Sequence, residues 1–380
     1  MTIAFLSHLD LNLYLFRLPI MIELIKRGHI VYAICPRGEK FDLFVQHGVL
    51  ALDYKIQRKS LNPLKELQTI RNIYRVVKPL ELDVLHNFTV KPNIYGSIAG
   101  HLARVSKVIN SVTGMGSFFI QETTKAKTVR RVIETLYREA NKKVSFVIFQ
   151  NSDDMQYFLD KELVKKNQAV LIKSSGIDSE KFDIQKQNLQ IQKALKKELK
   201  IDENSIVVLM VARAIWDKGV REYYEAAKEL ESKYPHVIFL YVGDTDDGNH
   251  SCANRDFLSS SNVGWLGHRD DIVDVTALSD IYVLPSYREG VPRTLLEAAS
   301  MRKPIVTTDA IGCREVVEDG LNGFLVKVKD SKDLACGIEK LINDSSLRES
   351  MGINGRIKVL KEFDVKIVVS KYMEVYEKII

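Results

Sequence analysis

Arg213 and Lys218, in the C-terminal half of the sequence, are spaced so that both could contact one anionic ligand. They lie five residues apart, just after an apolar run at 207–211 that predicts a strand. An arginine offers a planar, bidentate fork and a lysine a mobile point charge, and the two together suit a diphosphate. Taken alone, the pair is explained more simply as two solvated charges in a surface loop.

A second candidate site for an anion follows the predicted strand 281–284, in the stretch PSYREGVPRTLLEA at 285–298. Gly290 allows the backbone to approach a ligand closely, and Pro292 is preset for the first turn of a helix. The N–H groups of Val291, Arg293 and Thr294 would then be donors without helical acceptors, directed at an anion. The stretch therefore predicts a helix N-terminus that binds phosphate.

Two carboxylates in the same stretch extend this site beyond the phosphates. Glu297 lies about one turn into the predicted helix, where it could accept hydrogen bonds from both hydroxyls of a ribose. Glu289 precedes the turn and faces the ligand site. The two carboxylates would therefore act at opposite ends of one nucleotide-linked donor.

The elements that must position these residues alternate along the whole chain. Short β-branched runs are followed by longer helical patterns, which is typical of parallel sheets covered by crossover helices. Each half of the chain thus predicts one doubly wound α/β sheet, and such sheets bind ligands at the carboxyl ends of their strands. The predicted strands are 3–6, 30–35, 50–54, 84–86, 108–112, 146–150 and 170–172, then 207–211, 238–242, 263–266, 281–284, 305–308 and 324–326, with helices among others at 19–27, 63–77, 95–103 and 128–143.

A small-residue turn at 174–178, followed by a polar helical stretch at 184–199, predicts a linker near residue 176. We expect one domain at 1–176 and a second, which contains the candidate anion sites, at 177–362. A C-terminal helix at 363–380 has enough apolar residues to pack back on the first domain.

The composition agrees with this division and excludes several classes of protein. A chain of 380 residues with 46% apolar and 27% charged residues can fill two cores. Its four cysteines lie far apart, which favours neither a disulfide framework nor a zinc site, and suits a reducing cytosol. The first residues resemble a strand and turn more than an export signal, so we expect a cytoplasmic protein.

The net charge of +6 is concentrated in the first half of the chain. Residues 121–143 carry seven basic and three acidic side chains, a net +4, with apolar residues at three- and four-residue spacing. This pattern predicts an amphipathic basic helix, which is either a solvated surface helix or one that lies on anionic lipid. A second basic stretch, from Arg58-Lys59 to Lys78, favours the membrane. The candidate membrane contacts are Lys125, Lys127, Arg130 and Arg131.

Arg213-x4-Lys218 followed by Glu289-x7-Glu297, in a strand, Gly-Pro turn and helix, resembles the retaining GT-B glycosyltransferases of family 4. The resemblance extends over essentially the whole chain. It implies two Rossmann-like domains that face a central cleft, and a hexosyl transfer with retention that needs neither a metal nor a cofactor. It also implies that Arg213 and Lys218 bind the donor diphosphate, Glu297 the ribose, and Glu289 the transferred sugar.

Within the family, several stretches narrow the resemblance further. They are similar to transferases that add N-acetylgalactosamine, in α-1,3 linkage, to diacetylbacillosamine on undecaprenyl diphosphate in bacterial N-linked protein glycosylation. They also resemble capsule and O-antigen transferases. The implied partners are therefore a UDP-sugar, a polyprenyl-diphosphate-linked sugar and the inner face of the cell membrane, without nucleic acid. These stretches are FLSH at 5–8, GMGSFF at 114–119, VARAIWDKGV at 211–220, SCA at 251–253 and WLGHRDDI at 265–272.

The first domain departs from the family pattern. The loop SHLDLN at 7–12 lacks the glycines that many members carry after the first strand, and Phe88 replaces a histidine that many members place near the sugar. A lone histidine at a strand end is more often structural than catalytic. The candidates for the cleft or the acceptor are His8, His86, Lys91, Asn93, Gly114 and Gly116.

Two functions from other classes are weaker alternatives. A nicotinamide-dependent oxidoreductase would need a complete Gly-x-Gly-x-x-Gly, but the third glycine after Gly114 and Gly116 is replaced by Phe119. A non-catalytic nucleotide-binding protein would keep the fold without needing Lys218 and Glu289.

Overall fold

The computed structural model describes residues 1–58, 60, 62–246, 248–249, 251–261 and 263–379, and of Ser117 the backbone only. Lys59, in the second basic stretch, lies outside the described residues. The chain forms two compact units. The first comprises Met1–Gly176 together with the residues from Val365 onward, and the second comprises Ile177–Asp364.

The first unit contains a parallel sheet whose spatial order is β3-β2-β1-β4-β5-β6-β7. The inner strands β1, β4 and β5 are buried except at the first residue of β1 and of β5, as expected for a parallel sheet covered on both faces by helices. Its strands are β1 (Thr2–Leu6), β2 (Ile30–Ile34), β3 (Leu50–Leu52), β4 (Val84–Phe88), β5 (Lys107–Val112), β6 (Phe146–Phe149) and β7 (Ala169–Leu171).

The second unit contains a parallel sheet with the order β10-β9-β8-β11-β12-β13. The order reverses between β8 and β11, so the loops that follow these two strands lie side by side at the carboxyl edge. Its strands are β8 (Ile206–Val211), β9 (Val237–Val242), β10 (Gly264–Trp265), β11 (Ile281–Leu284), β12 (Ile305–Thr308) and β13 (Gly323–Val326). The predicted fold class, two doubly wound α/β sheets, is confirmed.

Helices connect the strands and cover the sheets. In the first unit they are α1 (Asp10–Phe16), α2 (Leu18–Lys26), α3 (Pro63–Val77), α4 (Ser97–Leu102), α5 (Thr124–Asn141), α6 (Ser152–Asp160) and, at the C-terminus, α15 (Val365–Glu377). In the second unit they are α7 (Leu189–Glu198), α8 (Val220–Lys233), α9 (Arg255–Ser259), α10 (Ile272–Leu278), α11 (Arg293–Ser300), α12 (Cys313–Val316), α13 (Ser331–Asn343) and α14 (Ser345–Lys358). None of the helices in the described residues is long and apolar enough to cross a membrane.

Three of the differences from the predicted element boundaries have a clear cause. The helix predicted at 184–199 is broken, because the Asn188 side chain accepts a hydrogen bond from the Gln190 N–H and starts α7 anew. The helix predicted at 128–143 begins earlier, since Thr123 caps it through the Ala126 N–H. The second unit extends to Asp364 rather than to 362, because the chain there pairs with Ile177.

The C-terminal helix α15 completes the core of the first unit. Val368, Tyr372 and Tyr376 are buried in the same apolar cluster as Ile3 and Phe5 of the first strand. Chain segments from opposite ends of the sequence therefore share one hydrophobic core.

A polar contact lies inside this core. The ring of His86 is fully buried in β4, with its Nδ1 2.7 Å from the Tyr376 hydroxyl and its Nε2 2.8 Å from the Ser111 hydroxyl. Burial, and secondarily the charge of Arg17, lowers the pKa of His86 well below its usual value. The neutral ring therefore donates one of these hydrogen bonds and accepts the other.

We expect Tyr376→Phe to lower the free energy of unfolding of the first unit by about 1–3 kcal/mol, because one buried ring nitrogen of His86 loses its partner. Urea unfolding followed by circular dichroism measures the change. Tyr14→Phe, which removes a half-buried hydroxyl at 3.4 Å from His47, is the matched control. Equal effects of the two substitutions would contradict this account of the His86 contact.

Candidate active site

The loops after β8 and β11 approach each other closely around Gly219. Gly219 has φ +73°, and a Cβ built on it would lie 2.1 Å from the carbonyl oxygen of Pro285. Only glycine combines this backbone conformation with so close a neighbour. It ends the short 3-10 turn Trp216–Lys218 and leads directly into α8. The Lys218 segment is thereby fixed against the segment that carries Glu289.

Lys218 and Glu289 form an ion pair across these two loops, through the Lys218 ammonium and Oε1 of Glu289. The side chains are only 19% and 12% exposed, so solvent screens their attraction weakly. The Ser286 hydroxyl donates to the same carboxylate oxygen at 2.7 Å. Two donors thus orient Glu289 through one oxygen, and its Oε2 accepts no hydrogen bond from the described residues.

Backbone contacts hold this arrangement in place. The Tyr287 N–H donates to the Asp217 carbonyl at 2.9 Å, and the Glu289 N–H donates to the Ile311 carbonyl at 2.9 Å. The Tyr287 hydroxyl donates to Glu222 of α8 at 2.8 Å. Burial, followed by this hydrogen bond to Glu222, raises the pKa of Tyr287. The position of Glu289 is therefore set by contacts on both sides of its loop.

The helix that follows, α11, begins at Arg293, with Pro292 in the N-cap position. Pro292 was expected inside the first turn; its ψ of 117° places it in extended backbone just outside the helix. Gly312, at φ +83°, approaches the carbonyl oxygens of Gly290 and Glu289, and a Cβ there would lie 2.5 and 2.6 Å from them. This contact fixes the turn that precedes the first N–H groups of α11.

Glu297 is buried in α11, and Arg293, one turn earlier, donates to its Oε1 at 3.1 Å. Burial raises the pKa of Glu297, while Arg293 opposes that shift by its charge and its hydrogen bond. The carboxylate is therefore oriented and partly neutralised by its own helix.

The structure pairs Arg213 with a different carboxylate from that of Lys218. Its Nη1 donates to Oδ2 of Asp246 at 2.6 Å, in the loop after β9. The Arg213 side chain is 61% exposed. Both cations predicted to bind the diphosphate are thus paired with acidic side chains.

In the first unit, His8 lies in the loop after β1, and its Nδ1 is 2.5 Å from the Thr89 hydroxyl in the loop after β4. Thr89 has φ +75°, an uncommon conformation for a residue with a β-branched side chain. Burial, followed by the charges of Arg58 and Lys91, lowers the pKa of His8 to about 4. His8 therefore lies, uncharged, at the carboxyl edge of the sheet.

Three other candidates of the first unit have their polar atoms engaged within the protein. His86 faces the core, as described above. Asn93 is fully buried in a π-helical turn rather than in a loop, and its amide donates to the Ser111 carbonyl at 2.9 Å. The Lys91 ammonium donates to the carbonyls of Gln57 and Ser60 and to Glu66, so that its three protons are used within the protein.

Gly114 and Gly116 lie in the loop after β5, with φ of 142° and 80°. Arg130, a predicted membrane contact, is engaged within the protein. Its guanidinium turns back to the preceding loop and donates to the carbonyls of Phe118 and Gln121. It is only 20% exposed. The other candidates on α5, which are Lys125, Lys127 and Arg131, are exposed.

Comparison with known proteins agrees with this geometry. The family described as "Glycosyl transferases group 1" matches residues 191–358, and the one described as "Glycosyl transferase 4-like" matches residues 2–151. The N,N'-diacetylbacillosaminyl-diphospho-undecaprenol alpha-1,3-N-acetylgalactosaminyltransferase of Campylobacter jejuni is 37% identical over 380 residues, 100% of this chain and 99% of that protein. The chain belongs to the GT-B glycosyltransferases of family 4.

Other members of this glycosyltransferase family are also similar over most of their length. The UDP-Gal:alpha-D-GlcNAc-diphosphoundecaprenol alpha-1,3-galactosyltransferase of Escherichia coli is 28% identical, over 90% of this chain and 87% of that protein. The crystal structure of Anabaena HepE in complex with UDP and glucose has a TM-score of 0.82, with 23% identity and 99% of both chains covered. The latter likeness establishes the GT-B fold.

Sequence reasoning missed two residues of this glycosyltransferase's candidate site. Ser286 lies within the quoted stretch, but its hydrogen bond to Glu289 follows from the tight turn between them. Asp246 follows β9, which neighbours β8, so the strand order alone would have drawn attention to its loop.

We expect the stability of the glycosyltransferase to depend on pH through His8. Its pKa is about 4 in the folded protein and about 6.5 when unfolded, so the unfolded chain binds more protons between these values. The stabilisation from neutral His8 is fully present above about pH 6.5 and is lost as the pH falls towards 4. Denaturant unfolding of wild type and His8→Gln at pH 7.5 and 5.0 measures the free energy of unfolding, which should fall more with pH in the wild type. Equal decreases in the two proteins would contradict the lowered pKa of His8.

Proposed function

We propose that the protein transfers N-acetylgalactosamine, or a similar N-acetylhexosamine, from a UDP-sugar to an undecaprenyl-diphosphate-linked sugar, with retention at the anomeric carbon. The observation that carries this proposal is the Lys218–Glu289–Ser286 cluster at the carboxyl edge of the second sheet. Two relatives support the proposed substrates. The Campylobacter jejuni relative is named for such an acceptor, and the Escherichia coli relative is named for a UDP-sugar donor.

In the proposed reaction, negative charge builds on the leaving diphosphate while positive charge builds on the sugar ring. Arg213, Lys218 and the N-terminus of α11 would stabilise the diphosphate, through charge and through N–H groups that point outward from the helix. Electrostatic preorganisation of this kind is usually the largest single catalytic contribution. The backbone contacts around Asp217 and Glu289 supply the rigidity that it requires.

Glu289 would contact the transferred sugar. Lys218 and Ser286 donate to its Oε1, which leaves Oε2 for a sugar hydroxyl or for the developing ring cation. Glu297 would accept the ribose hydroxyls, since Arg293 already orients its carboxylate. No divalent metal enters this scheme, because side chains and helix N–H groups supply the positive charge.

The acceptor would bind to the first unit. His8, Gly114 and Gly116 lie in loops that follow strands β1 and β5, and we propose them as its contacts. Neutral His8 could exchange hydrogen bonds with an acceptor hydroxyl without adding charge.

We expect Glu289→Gln and Lys218→Ala each to lower turnover by roughly 10²–10³-fold, since each removes charge stabilisation of the transition state. The assay is transfer from labelled UDP-sugars to undecaprenyl-diphosphate-linked diacetylbacillosamine, with detection of the lipid-linked disaccharide. Lys233→Ala, which removes a surface lysine paired with Glu339 in the same unit, is the control and should retain activity.

Product formed with UDP-N-acetylgalactosamine and lost in both variants would support donor, acceptor and site together. Product formed only with another UDP-sugar or another polyprenyl-linked acceptor would favour the second candidate function, a transferase of capsule or O-antigen assembly. The Escherichia coli relative supports that alternative, because its donor sugar and its acceptor both differ from those of the Campylobacter jejuni relative. Unaltered transfer by Glu289→Gln would contradict the proposed site.

We also propose that the protein binds peripherally to the inner face of the cell membrane, where a polyprenyl-linked acceptor resides. α5 exposes Lys125, Lys127 and Arg131, although Lys127 pairs with Glu122 at 3.3 Å. α3 exposes two leucines at its N-terminus, Leu64 by 76% and Leu67 by 62%. Basic side chains and exposed apolar side chains together are typical of helices that lie on anionic lipid.

Charge reversal at Lys125, Lys127 and Arg131 should weaken binding to anionic liposomes by about 3 kcal/mol, or roughly a hundredfold, at about 1 kcal/mol per basic residue. Co-sedimentation with phosphatidylglycerol vesicles measures this change. The control is the same reversal at three exposed lysines of the second unit, Lys193, Lys197 and Lys228. Equal sedimentation of the two triple variants would count against α5 as the membrane contact.

A further inference from the structure

The ion pair between Arg213 and Asp246 occupies the guanidinium that the proposed function assigns to the donor diphosphate. Nη1 of Arg213 lies 2.6 Å from Oδ2 of Asp246, which is the distance of a strong, charge-assisted hydrogen bond. A carboxylate oxygen offers the guanidinium the same kind of acceptor as a phosphate oxygen. The two anions therefore compete for the same donor group.

Asp246 is the more firmly placed partner of the pair. Its Oδ2 also accepts a hydrogen bond from the Asn249 side chain at 2.9 Å, and its carbonyl accepts the Asn249 N–H at 2.9 Å. Asp246 is 29% exposed, whereas Arg213 is 61% exposed. Arg213 is therefore the side chain that can move from the carboxylate to an incoming diphosphate.

The loop of Asp246 is attached to the loop of Arg213 and Lys218. The Trp216 N–H donates to the Ser251 carbonyl at 2.7 Å, and the Asp217 N–H donates to the Ser251 hydroxyl at 3.2 Å. The carboxylate consequently stays beside the diphosphate cations when Arg213 turns away from it. Asp246 therefore remains within reach of Arg213 and can compete with the diphosphate for its guanidinium.

The second ion pair of the site behaves differently. Lys218 and Glu289 are both largely buried, and Ser286 holds Glu289 in addition, so this pair is screened little and is fixed on both sides. The Arg213–Asp246 pair is exposed and is weaker for that reason. Of the two cations, Arg213 is therefore the one whose partner can be exchanged.

We propose that Asp246 is a positioning residue that competes with the diphosphate for Arg213, and thereby weakens the binding of UDP so that the product can leave. This inference rests on the proposed function of Arg213 as a diphosphate ligand. It gives Asp246 the opposite effect from that of a ligand-binding residue, because its removal strengthens nucleotide binding.

The test is isothermal titration of UDP into the full-length protein and its variants. Asp246→Asn should bind UDP about two- to fivefold more tightly, the range expected when an exposed ion pair no longer has to be broken. In a background of Arg213→Ala, the same substitution should leave the UDP affinity unchanged. Inhibition of transfer by product UDP should strengthen by the same factor as direct binding.

Asp244→Asn is the matched control, since it removes the same charge two residues away. Asp244 accepts a hydrogen bond from Arg255 at 3.3 Å. Equal tightening by Asp244→Asn, or tightening that persists without Arg213, would overturn the inference in favour of a general charge effect. So would unchanged or weaker UDP binding by Asp246→Asn. Damage to the fold cannot imitate the expected result, because it would weaken binding.

Asp246→Ala provides a second variant if Asp246→Asn does not fold, because it also removes the carboxylate that competes for Arg213. It should tighten UDP binding in the same direction, and weaker binding would contradict the inference. A different set of UDP affinities would show that the proposed function itself is wrong. If Arg213→Ala binds UDP as tightly as the wild type, or if the wild type binds none, Arg213 is not a diphosphate ligand and both ideas are overturned.

Discussion

The close approach of two backbone segments at Gly219 is the constraint on which the candidate site depends. Lys218 and Glu289 are separated by 71 positions in the sequence, and their side chains meet because the loops after β8 and β11 nearly touch. Gly219 against Pro285 and Gly312 against Gly290 make that approach sterically feasible. The ion pair, the Ser286 hydrogen bond and the start of α11 all follow from this backbone geometry.

The first unit uses buried polar groups for a different purpose. Asn87 of β4 donates to Asn110 of β5 at 2.9 Å, Asn110 donates to Asn141 of α5 at 2.9 Å, and Asn141 donates to the Leu163 carbonyl at 3.0 Å. This chain of amides runs through the core, and the Ser97 hydroxyl contacts both Asn110 and the Asn93 carbonyl. Such buried networks orient the elements that they join. Polar residues near the carboxyl edge of this sheet are therefore largely occupied in fixing helices to strands.

This difference explains what could be predicted from the sequence. The fold class followed from the alternation of apolar runs and helical patterns, and strands such as Ile281–Leu284 and Ile305–Thr308 were predicted with their observed bounds. The contact between Lys218 and Glu289 could be anticipated from the sequence because both residues lie in short local motifs. The role of His86 could not be predicted, because its partner Tyr376 is 290 positions away. The contacts of Lys91 and Arg130 could not be predicted for a similar reason, since tertiary structure alone brings near the loop carbonyls that accept their protons.

The return of α15 to the first unit has a consequence for the order in which the chain becomes structured. The second unit is inserted between two parts of the first, so during synthesis all of its residues are added to the chain before Val368, Tyr372 and Tyr376. Domains generally fold as units while the chain grows. The first sheet must therefore wait, with an apolar surface uncovered, for a helix that is translated after the whole second unit. Of the two units, the one whose synthesis begins earlier is thus completed later.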